Sequence, residues 1–147
     1  MNFEEKIKRG RLSGKIIYPI NINRTQLTSQ RMEGICNKLI NELELKGVLL
    51  NNYMIPTLKV SYERDYYETN ENIRITLDQN IKFSDIYLHS LLSEEKAINY
   101  SMNIMEIKFN PNKKTAVSKL IQSLNISPSR HSKYLVGMAV SQNTCYI

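Results

Sequence analysis

Two neighbouring segments of the chain alternate between polar and apolar side chains, which is the pattern of half-buried β-strands. The first begins at Leu58, the second covers residues 73–78, and a polar stretch at residues 68–72 separates them. Side chains alternate between the two faces of a strand, so Arg64 and Arg74 can point to the same side if the strands pair as a hairpin. Two guanidinium groups on one sheet face would form an anion site.

Other segments predict further strands and two helices. Three of them alternate as strands do, at residues 2–9, 15–20 and 101–109, with a turn expected at residues 10–14. Two carry apolar residues at three- and four-residue spacing, as amphipathic helices do, from Leu27 to about Lys46 and from Lys113 to about Leu124. Thr25 or Thr28 is expected to cap the first helix. Strands and helices together predict an α+β protein.

Charged side chains occupy one face of several predicted strands. These sets are Glu4, Lys6 and Lys8; Arg64 and Arg74; and Glu106 and Lys108. Such a face cannot be a dry core, because an unpaired buried charge is costly. It either faces solvent or lines a hydrated barrel covered by helices, and the apolar opposite faces favour the barrel. Glu106 and Lys108 form a simple salt bridge, or they line a polar cavity in which Glu106 binds a divalent metal ion.

The charge balance favours a polyanionic partner. The chain has 147 residues, with 20 Lys and Arg against 14 Asp and Glu, for a net charge of +6. This excess suits nucleic acid, phosphate chains or an acidic membrane surface, and a solvated basic surface without a ligand explains it equally well. The length predicts a single domain.

Cysteine content and hydropathy exclude several classes of protein. Cys36 and Cys145 are too few and too far apart for a disulfide framework or a zinc site. No apolar run approaches the length of a membrane span, and charges occupy the N-terminus where a signal peptide would have an apolar core. We therefore predict a cytoplasmic protein without a membrane span.

A basic cluster precedes the last apolar segment. Arg130, His131, Ser132 and Lys133 come directly before a possible helix start. Several hydrogen-bond donors in this position suit phosphate oxygens. The two histidines, His89 and His131, are isolated in sequence, and a lone histidine gives little support for a catalytic role.

Taken together, the motifs resemble a known family. In chain order they are ExKxK (4–8), YERDYY (62–67), RITLD (74–78), MEIKF (105–109) and SRHSKYLVG (129–137). Each motif is short, but the order and spacing of all of them are similar to those of the vacuolar transporter chaperone (VTC) catalytic domain. That family comprises polyphosphate polymerases of the triphosphate-tunnel, CYTH-like superfamily and includes bacterial members.

The resemblance implies a tunnel of antiparallel strands, an antiparallel β-barrel with flanking helices. Such a tunnel binds ATP and polyphosphate through inward Lys and Arg side chains, and Mn²⁺ or Mg²⁺ through a glutamate. Matched motif by motif, it implies phosphate binding by Lys6, Lys8, Arg64, Arg74 and Lys133, and metal binding by Glu106. The patterns above add three phosphate-binding candidates: Lys108, Arg130 and Ser132. The predicted catalytic residues are Arg64, Arg74 and Lys133, in a transfer of the ATP γ-phosphate to a polyphosphate end.

The resemblance also implies an incomplete tunnel. Family members carry an upstream strand pair with further basic residues, and Ile17 stands where a second basic residue is expected after Lys15. We therefore expect residues 1–147 to form a single, partial domain that corresponds to the C-terminal part of the tunnel. A second copy of the chain or a missing N-terminal segment would complete it.

Other functions stay open at this point. A polyanion-binding module without catalysis would keep the cationic face, and a triphosphate hydrolase of the same superfamily would share the tunnel charge. A nucleic-acid binder would interleave aromatic and basic side chains, as Tyr62, Tyr66 and Tyr67 do, but the chain has no recognisable nucleic-acid motif. A purely structural fragment would bind no phosphate chain.

Overall fold

The computed structural model describes residues 1–9, 12–50, 55–92 and 96–142. Contacts divide the chain into two compact units: a first unit of Met1–Thr57 with Ile86–Glu95, and a second unit of Leu58–Asp85 with Lys96–Ile147. Each unit has antiparallel strands, helices and an apolar core of its own, so the predicted α+β class is confirmed. The single domain over residues 1–147 stays a prediction.

The first unit begins with a two-stranded hairpin. Strand β1 (Asn2–Arg9) pairs antiparallel with β2 (Leu12–Pro19). The prediction of a turn at residues 10–14 is wrong for Ser13 and Gly14, because both residues belong to β2 and pair with β1. The first half of that turn, residues 10 and 11, lies outside the described residues.

Two helices follow the hairpin where one was expected. Helices α1 (Arg24–Ser29) and α2 (Met32–Glu44) are separated at Arg31, whose extended backbone forms a β-bridge with Leu91. This bridge is a contact with a distant part of the chain, so helical spacing alone does not reveal it. The prediction of one continuous helix is therefore wrong.

Asn23 caps α1, and the prediction of Thr25 or Thr28 is wrong. The side-chain oxygen of Asn23 accepts a hydrogen bond from the Gln26 backbone N–H at 2.9 Å, and the Gln26 side chain accepts one from the Asn23 backbone N–H at 3.0 Å. This reciprocal pair is a capping box. The Thr28 hydroxyl instead donates to carbonyls of the preceding turn. The core of this unit consists of Ile20, Ile22, Met32, Ile35 and Leu43.

The second unit is built on a four-stranded sheet with β4 in the middle. Strand β3 (Leu58–Glu68) pairs with one side of β4 (Arg74–Asp85), and β5 (Ile98–Asn99) and β6 (Ile104–Lys108) pair with the other. All pairs are antiparallel, so the predicted hairpin is confirmed. The strand expected at residues 101–109 is shorter than predicted, since its pairing with β4 begins at Ile104.

A β-bulge interrupts the pairing of β3 with β4. Ser61 lies opposite Lys82 and Glu63 lies opposite Gln79, so two residues of β4 face one residue of β3. Asn80, at this point, has a φ of 50°, in the left-handed region that asparagine tolerates better than most residues. The extra residue shifts the alternation of side chains along β4 by one position.

This shift brings apolar and charged residues of β4 to one face of the sheet. Phe83 lies opposite Val60, which shares a face of β3 with Arg64, and Arg64 lies opposite Asp78. Strict alternation along β4 would have placed Phe83 and Asp78 on opposite faces. Because of the bulge, Ile81 and Phe83 continue the face on which Asp78 lies.

Helix α4 (Lys133–Ser141) packs on this face. Val136 belongs to the same buried cluster as Phe83. Gly137 is the point of closest approach, because a β-carbon there would lie 2.5 Å from Leu58 Cδ2 and 2.6 Å from Phe83 Cδ1. A glycine at this position therefore lets the helix backbone lie directly on the sheet.

Helix α3 (Lys114–Ser123) confirms the second predicted helix apart from its first residue, which belongs to a 3₁₀ turn at Pro111–Lys113. Val117 is its buried residue, whereas Ala116 and Leu124 are exposed. None of the helices in the described ranges has the length and apolarity needed to cross a membrane.

The strand pairings of the described residues form these two open sheets, and no closed barrel is found among them. What the structure confirms is therefore an α+β chain with antiparallel sheets and helices. The tunnel itself is not part of the confirmed fold.

Substitution at Gly137 tests the close packing of α4 on the sheet. We expect Gly137→Ala to lower the free energy of unfolding by about 1–3 kcal/mol, because the new methyl group forces Leu58 and Phe83 to move. Gly34→Ala in α2 is the control, since a β-carbon there meets nothing within 4 Å. It should stabilise the protein by up to about 1 kcal/mol. Urea unfolding followed by circular dichroism measures both, and equal effects would contradict the packing described.

Candidate functional site

One face of the second unit's sheet gathers four of the predicted site residues. Three rows of residues lie opposite one another across β3, β4 and β6: Arg64, Asp78 and Ile104; Tyr66, Thr76 and Glu106; Glu68, Arg74 and Lys108. Directly opposite residues point to the same side of a sheet. The prediction that Arg64 and Arg74 share a face is thus confirmed, and Glu106 and Lys108 lie on it too. We call it the charged face.

Asp78 is at the centre of this site. Its side chain is fully buried, and its carboxylate accepts two hydrogen bonds from Arg64, one from Nε and one from Nη2 at 2.7 Å. Lys133 Nζ, at the start of α4, lies 2.5 Å from the same carboxylate. The two predicted phosphate-binding cations are therefore held together by a shared anion that was not predicted as a site residue.

The charges of this trio stabilise one another. The pKa of Asp78 is lowered, chiefly by the hydrogen bond from Arg64. Burial alone would raise this pKa, and the contacts with Lys133 lower it further. The same hydrogen bond raises the pKa of Arg64. Two cations around one carboxylate leave a net positive charge. A guanidinium has five N–H donors and an ammonium three, so donors of both groups remain beyond those that face Asp78.

Two tyrosines of β3 flank the cations. The Arg64 guanidinium carbon lies 4.9 Å from the ring centre of Tyr62 and 5.8 Å from that of Tyr66. Lys133 Nζ lies 5.0 Å from the Tyr62 ring centre, so this ring contacts both cations. Cation–π contacts at such distances stabilise the charged groups and restrict their positions. The interleaved tyrosines thus support the arginine and the lysine.

Two looser ion pairs lie farther along the charged face. Lys108 Nζ is 3.2 Å from Glu106, and Arg74 is 3.9 Å from Glu68. Their side chains are about half exposed, so each pair contributes little to stability. Such pairs can open at low cost when an anionic ligand competes for the cation.

The segment before α4 contributes helix capping as well as charge. Ser132 is the N-cap of α4, and its hydroxyl accepts a hydrogen bond from the Leu135 backbone N–H at 3.4 Å. Its own hydroxyl hydrogen can still donate to a ligand. Arg130 is exposed in the preceding segment. His131 Nε2 lies 3.3 Å from the Tyr100 hydroxyl, and burial followed by the charge of Lys133 lowers the pKa of this histidine.

The remaining predicted cations belong to the first unit. Lys6 lies opposite Lys15 in the β1–β2 hairpin, and Lys15 pairs with Glu4 at 2.6 Å. Lys8 lies on the same strand, and its side chain is outside the described part of the structure. The phosphate-binding roles of Lys6 and Lys8 stay predictions.

Glu106 could serve as a single carboxylate ligand of a metal ion. No group of three or more His, Cys, Asp or Glu side chains is close enough to form a metal cage among the residues that the structure describes. Magnesium, however, is commonly held by one or two carboxylates together with substrate phosphates and water. Glu106 is exposed enough to supply one such carboxylate. The site therefore fits a metal ion that binds together with a phosphate chain.

Asp78 provides a test of the central trio. We expect Asp78→Asn to lower the free energy of unfolding by about 3 kcal/mol at neutral pH, because it leaves two partly buried cations without a counter-charge. Asp65→Asn is the control: this carboxylate is exposed and accepts from Gln79, so the loss should stay below about 0.5 kcal/mol.

The difference in unfolding free energy between wild type and Asp78→Asn should depend on pH, because the pKa of Asp78 is lowered in the folded protein. A carboxyl whose pKa is lower in the folded state stabilises the fold above its unfolded pKa, about 3.9, and the stabilisation disappears as pH falls through the folded value. The gap between wild type and Asp78→Asn should thus be constant from about pH 5 to 8 and shrink below about pH 4. Urea titrations at several pH values measure it, and a constant gap throughout would contradict the ionised trio.

Comparison with known proteins identifies the family of the chain. The family model of the VTC domain matches residues 2–142, and the match therefore extends over both units. Neither the curated proteins nor the solved structures include a significant match. This match covers nearly the whole chain. It includes the residues that share the charged face, Arg64, Arg74, Glu106 and Lys108. The chain belongs to the VTC-domain family.

Proposed function

We propose that the chain binds ATP and polyphosphate on its charged face and functions in the transfer of the ATP γ-phosphate to the end of a polyphosphate chain. The observation that carries this proposal is the convergence of Arg64 and Lys133 on the buried Asp78, in a chain that belongs to the VTC-domain family. These cations come from a strand and a helix that are distant in sequence, and the fold holds them side by side.

The geometry suits phosphate oxygens. Arg64 uses Nε and Nη2 on Asp78, which fixes the plane of the guanidinium. Its other donors, and those of Lys133, are then pre-positioned for an anion beside the carboxylate, so little side-chain entropy is lost on binding. Arg74 and Lys108 lie opposite each other at the end of the charged face that is farther from Asp78. They would supply further positive charge to a phosphate chain that extends along β4 from Arg64.

The proposed chemistry requires positioning and charge neutralisation, with no nucleophilic side chain. In phosphoryl transfer the charge spreads over the oxygens of the transferred group, and fixed cations lower the barrier by stabilising that charge. Arg64, Lys133 and Arg74 would align the γ-phosphate of ATP with the terminal phosphate of the acceptor chain. A divalent metal ion, held by Glu106 and the substrate's own oxygens, would supply additional charge neutralisation.

We also propose that the charged face is one wall of a phosphate tunnel. In the described part of the sheet, β3 and β6 each pair with β4 on one side only, so both could pair with further strands. A second copy of the chain or an additional segment would supply those strands. Light scattering of the purified chain, with and without tripolyphosphate, tests the self-association.

The reaction itself is tested by incubating the chain with ATP and Mn²⁺ and resolving the products by gel electrophoresis. Elongated polyphosphate supports the transferase. Release of orthophosphate from tripolyphosphate without elongation would indicate a hydrolase. Saturable binding without turnover would indicate a polyanion-binding module, and both of these outcomes would overturn the transfer reaction while leaving the phosphate-binding face intact.

Substitution of Arg64 tests the phosphate site. Arg64→Ala should weaken tripolyphosphate binding about tenfold or more, because it removes a charge-assisted contact. Lys82→Ala is the matched control, since Lys82 lies on the neighbouring strand β4 between Ile81 and Phe83 and therefore points to the face opposite the charged face. Isothermal titration calorimetry on variants with native-like circular dichroism measures both affinities. Equal losses would mean that only general electrostatic attraction is at work.

Substitution of Glu106 tests the proposed metal contact. Glu106→Gln should abolish the gain in tripolyphosphate affinity that Mn²⁺ or Mg²⁺ produces, because an amide is a poor ligand for these ions compared with a carboxylate. Binding without metal should be retained. Glu68→Gln removes another exposed carboxylate from the same face and is the control. If Glu106→Gln keeps the full metal dependence, Glu106 is not the ligand.

A further inference from the structure

Thr76 is a buried polar residue in the middle of the charged face. Its side chain is only 5% exposed, and its hydroxyl oxygen has no hydrogen-bond partner among the residues that the structure describes. A buried hydroxyl without a partner destabilises a fold, since the hydrogen bonds it made to water are lost without replacement. A valine has nearly the same shape and would avoid the cost of burying an unpartnered hydroxyl. We therefore look for a function of the Thr76 hydroxyl.

Thr76 lies between two groups of cations. On β4, Asp78 with its partners Arg64 and Lys133 is on one side of it, and Arg74 is on the other with Lys108 opposite. Residues 74 and 78 are separated by about 13 Å along a strand, at about 3.3 Å per residue. A single phosphate bound at one cation group cannot reach the other, but an extended phosphate chain can.

The neighbours of Thr76 make its hydroxyl a suitable hydrogen-bond donor midway between the two groups of cations. Across the sheet Thr76 faces Tyr66, which is exposed, and Glu106, whose side chain is about half exposed, and a ligand can displace both side chains. Ionised carboxylates such as Glu106 accept hydrogen bonds but cannot donate them. A chain of phosphates that crosses this region would meet repulsion from the carboxylate, and a threonine hydroxyl can donate to its oxygens without adding charge.

From this arrangement we infer that the Thr76 hydroxyl donates a hydrogen bond to an inner phosphoryl oxygen of a phosphate chain that extends from Arg64 and Lys133 to Arg74 and Lys108. Thr76 is then a specificity residue, which distinguishes a chain of phosphates from a single phosphate. This inference rests on the proposed phosphate binding by the charged face. It adds a residue and a basis for chain-length selection to that function.

The inference is tested by calorimetric titration of two probes, orthophosphate and tripolyphosphate, into metal-free protein. Thr76→Val should weaken tripolyphosphate binding about tenfold, as expected for the loss of a hydrogen bond to a charged group, and leave orthophosphate binding within about twofold. Thr76→Ser keeps the hydroxyl and should retain the tripolyphosphate affinity. Unchanged tripolyphosphate affinity in Thr76→Val, or an equal loss in Thr76→Ser, would overturn the role of Thr76.

Arg64→Ala in the same experiment separates this inference from the proposed function. If Arg64→Ala loses tripolyphosphate binding and Thr76→Val does not, the phosphate site stands and only the role of Thr76 fails. If neither variant changes binding, the phosphate site itself fails.

Thermal unfolding without phosphate gives a readout that does not depend on binding. Thr76→Val should raise the unfolding midpoint by a few degrees, because it removes an unpartnered buried hydroxyl. Added tripolyphosphate should then stabilise wild type more than the variant. A midpoint lowered by the substitution would show that the hydroxyl has a partner within the protein, which would overturn the inference.

Discussion

The pairing of the buried Asp78 with Arg64 and Lys133 is the interaction on which the second unit depends. A carboxylate without solvent exposure is costly unless its charge and its lone pairs are fully compensated. Here the compensation comes from β3 on one side and from α4 on the other, so the three elements must assemble together. The same contacts position the two cations that the family resemblance assigns to phosphate binding. Fold stability and the proposed phosphate binding are therefore linked through one side chain.

Much of the charged face could be predicted because it depends on local periodicity. A strand has a period of two, so spacing alone places Arg64 with Tyr62 and Tyr66, and Glu106 with Lys108. The hairpin between β3 and β4 joins segments that are close in sequence, and its turn is polar. These features need only a few neighbouring residues, and the structure confirms them.

What could not be predicted depends on long-range contacts. The acidic partner of Arg64 is decided by the register of β3 against β4, and the motif RITLD gives no sign that its aspartate is buried. The bulge at Asn80 shifts the alternation within one strand, so a strictly alternating pattern assigns Phe83 to the wrong face. The break between α1 and α2 follows from a bridge to Leu91, more than fifty positions away from Arg31 in the chain.

The contact at Gly137 has a consequence for the proposed phosphate site. The helix that carries Lys133 rests on Phe83 and Leu58 with no side chain between them, so apolar packing sets the distance from the helix backbone to the sheet. Dissolved salt screens charges but does not alter such packing. The helix thus acts as a rigid spacer. Ionic strength would change how tightly a phosphate chain is bound at the proposed site, while the helix that carries Lys133 would keep its distance from the sheet.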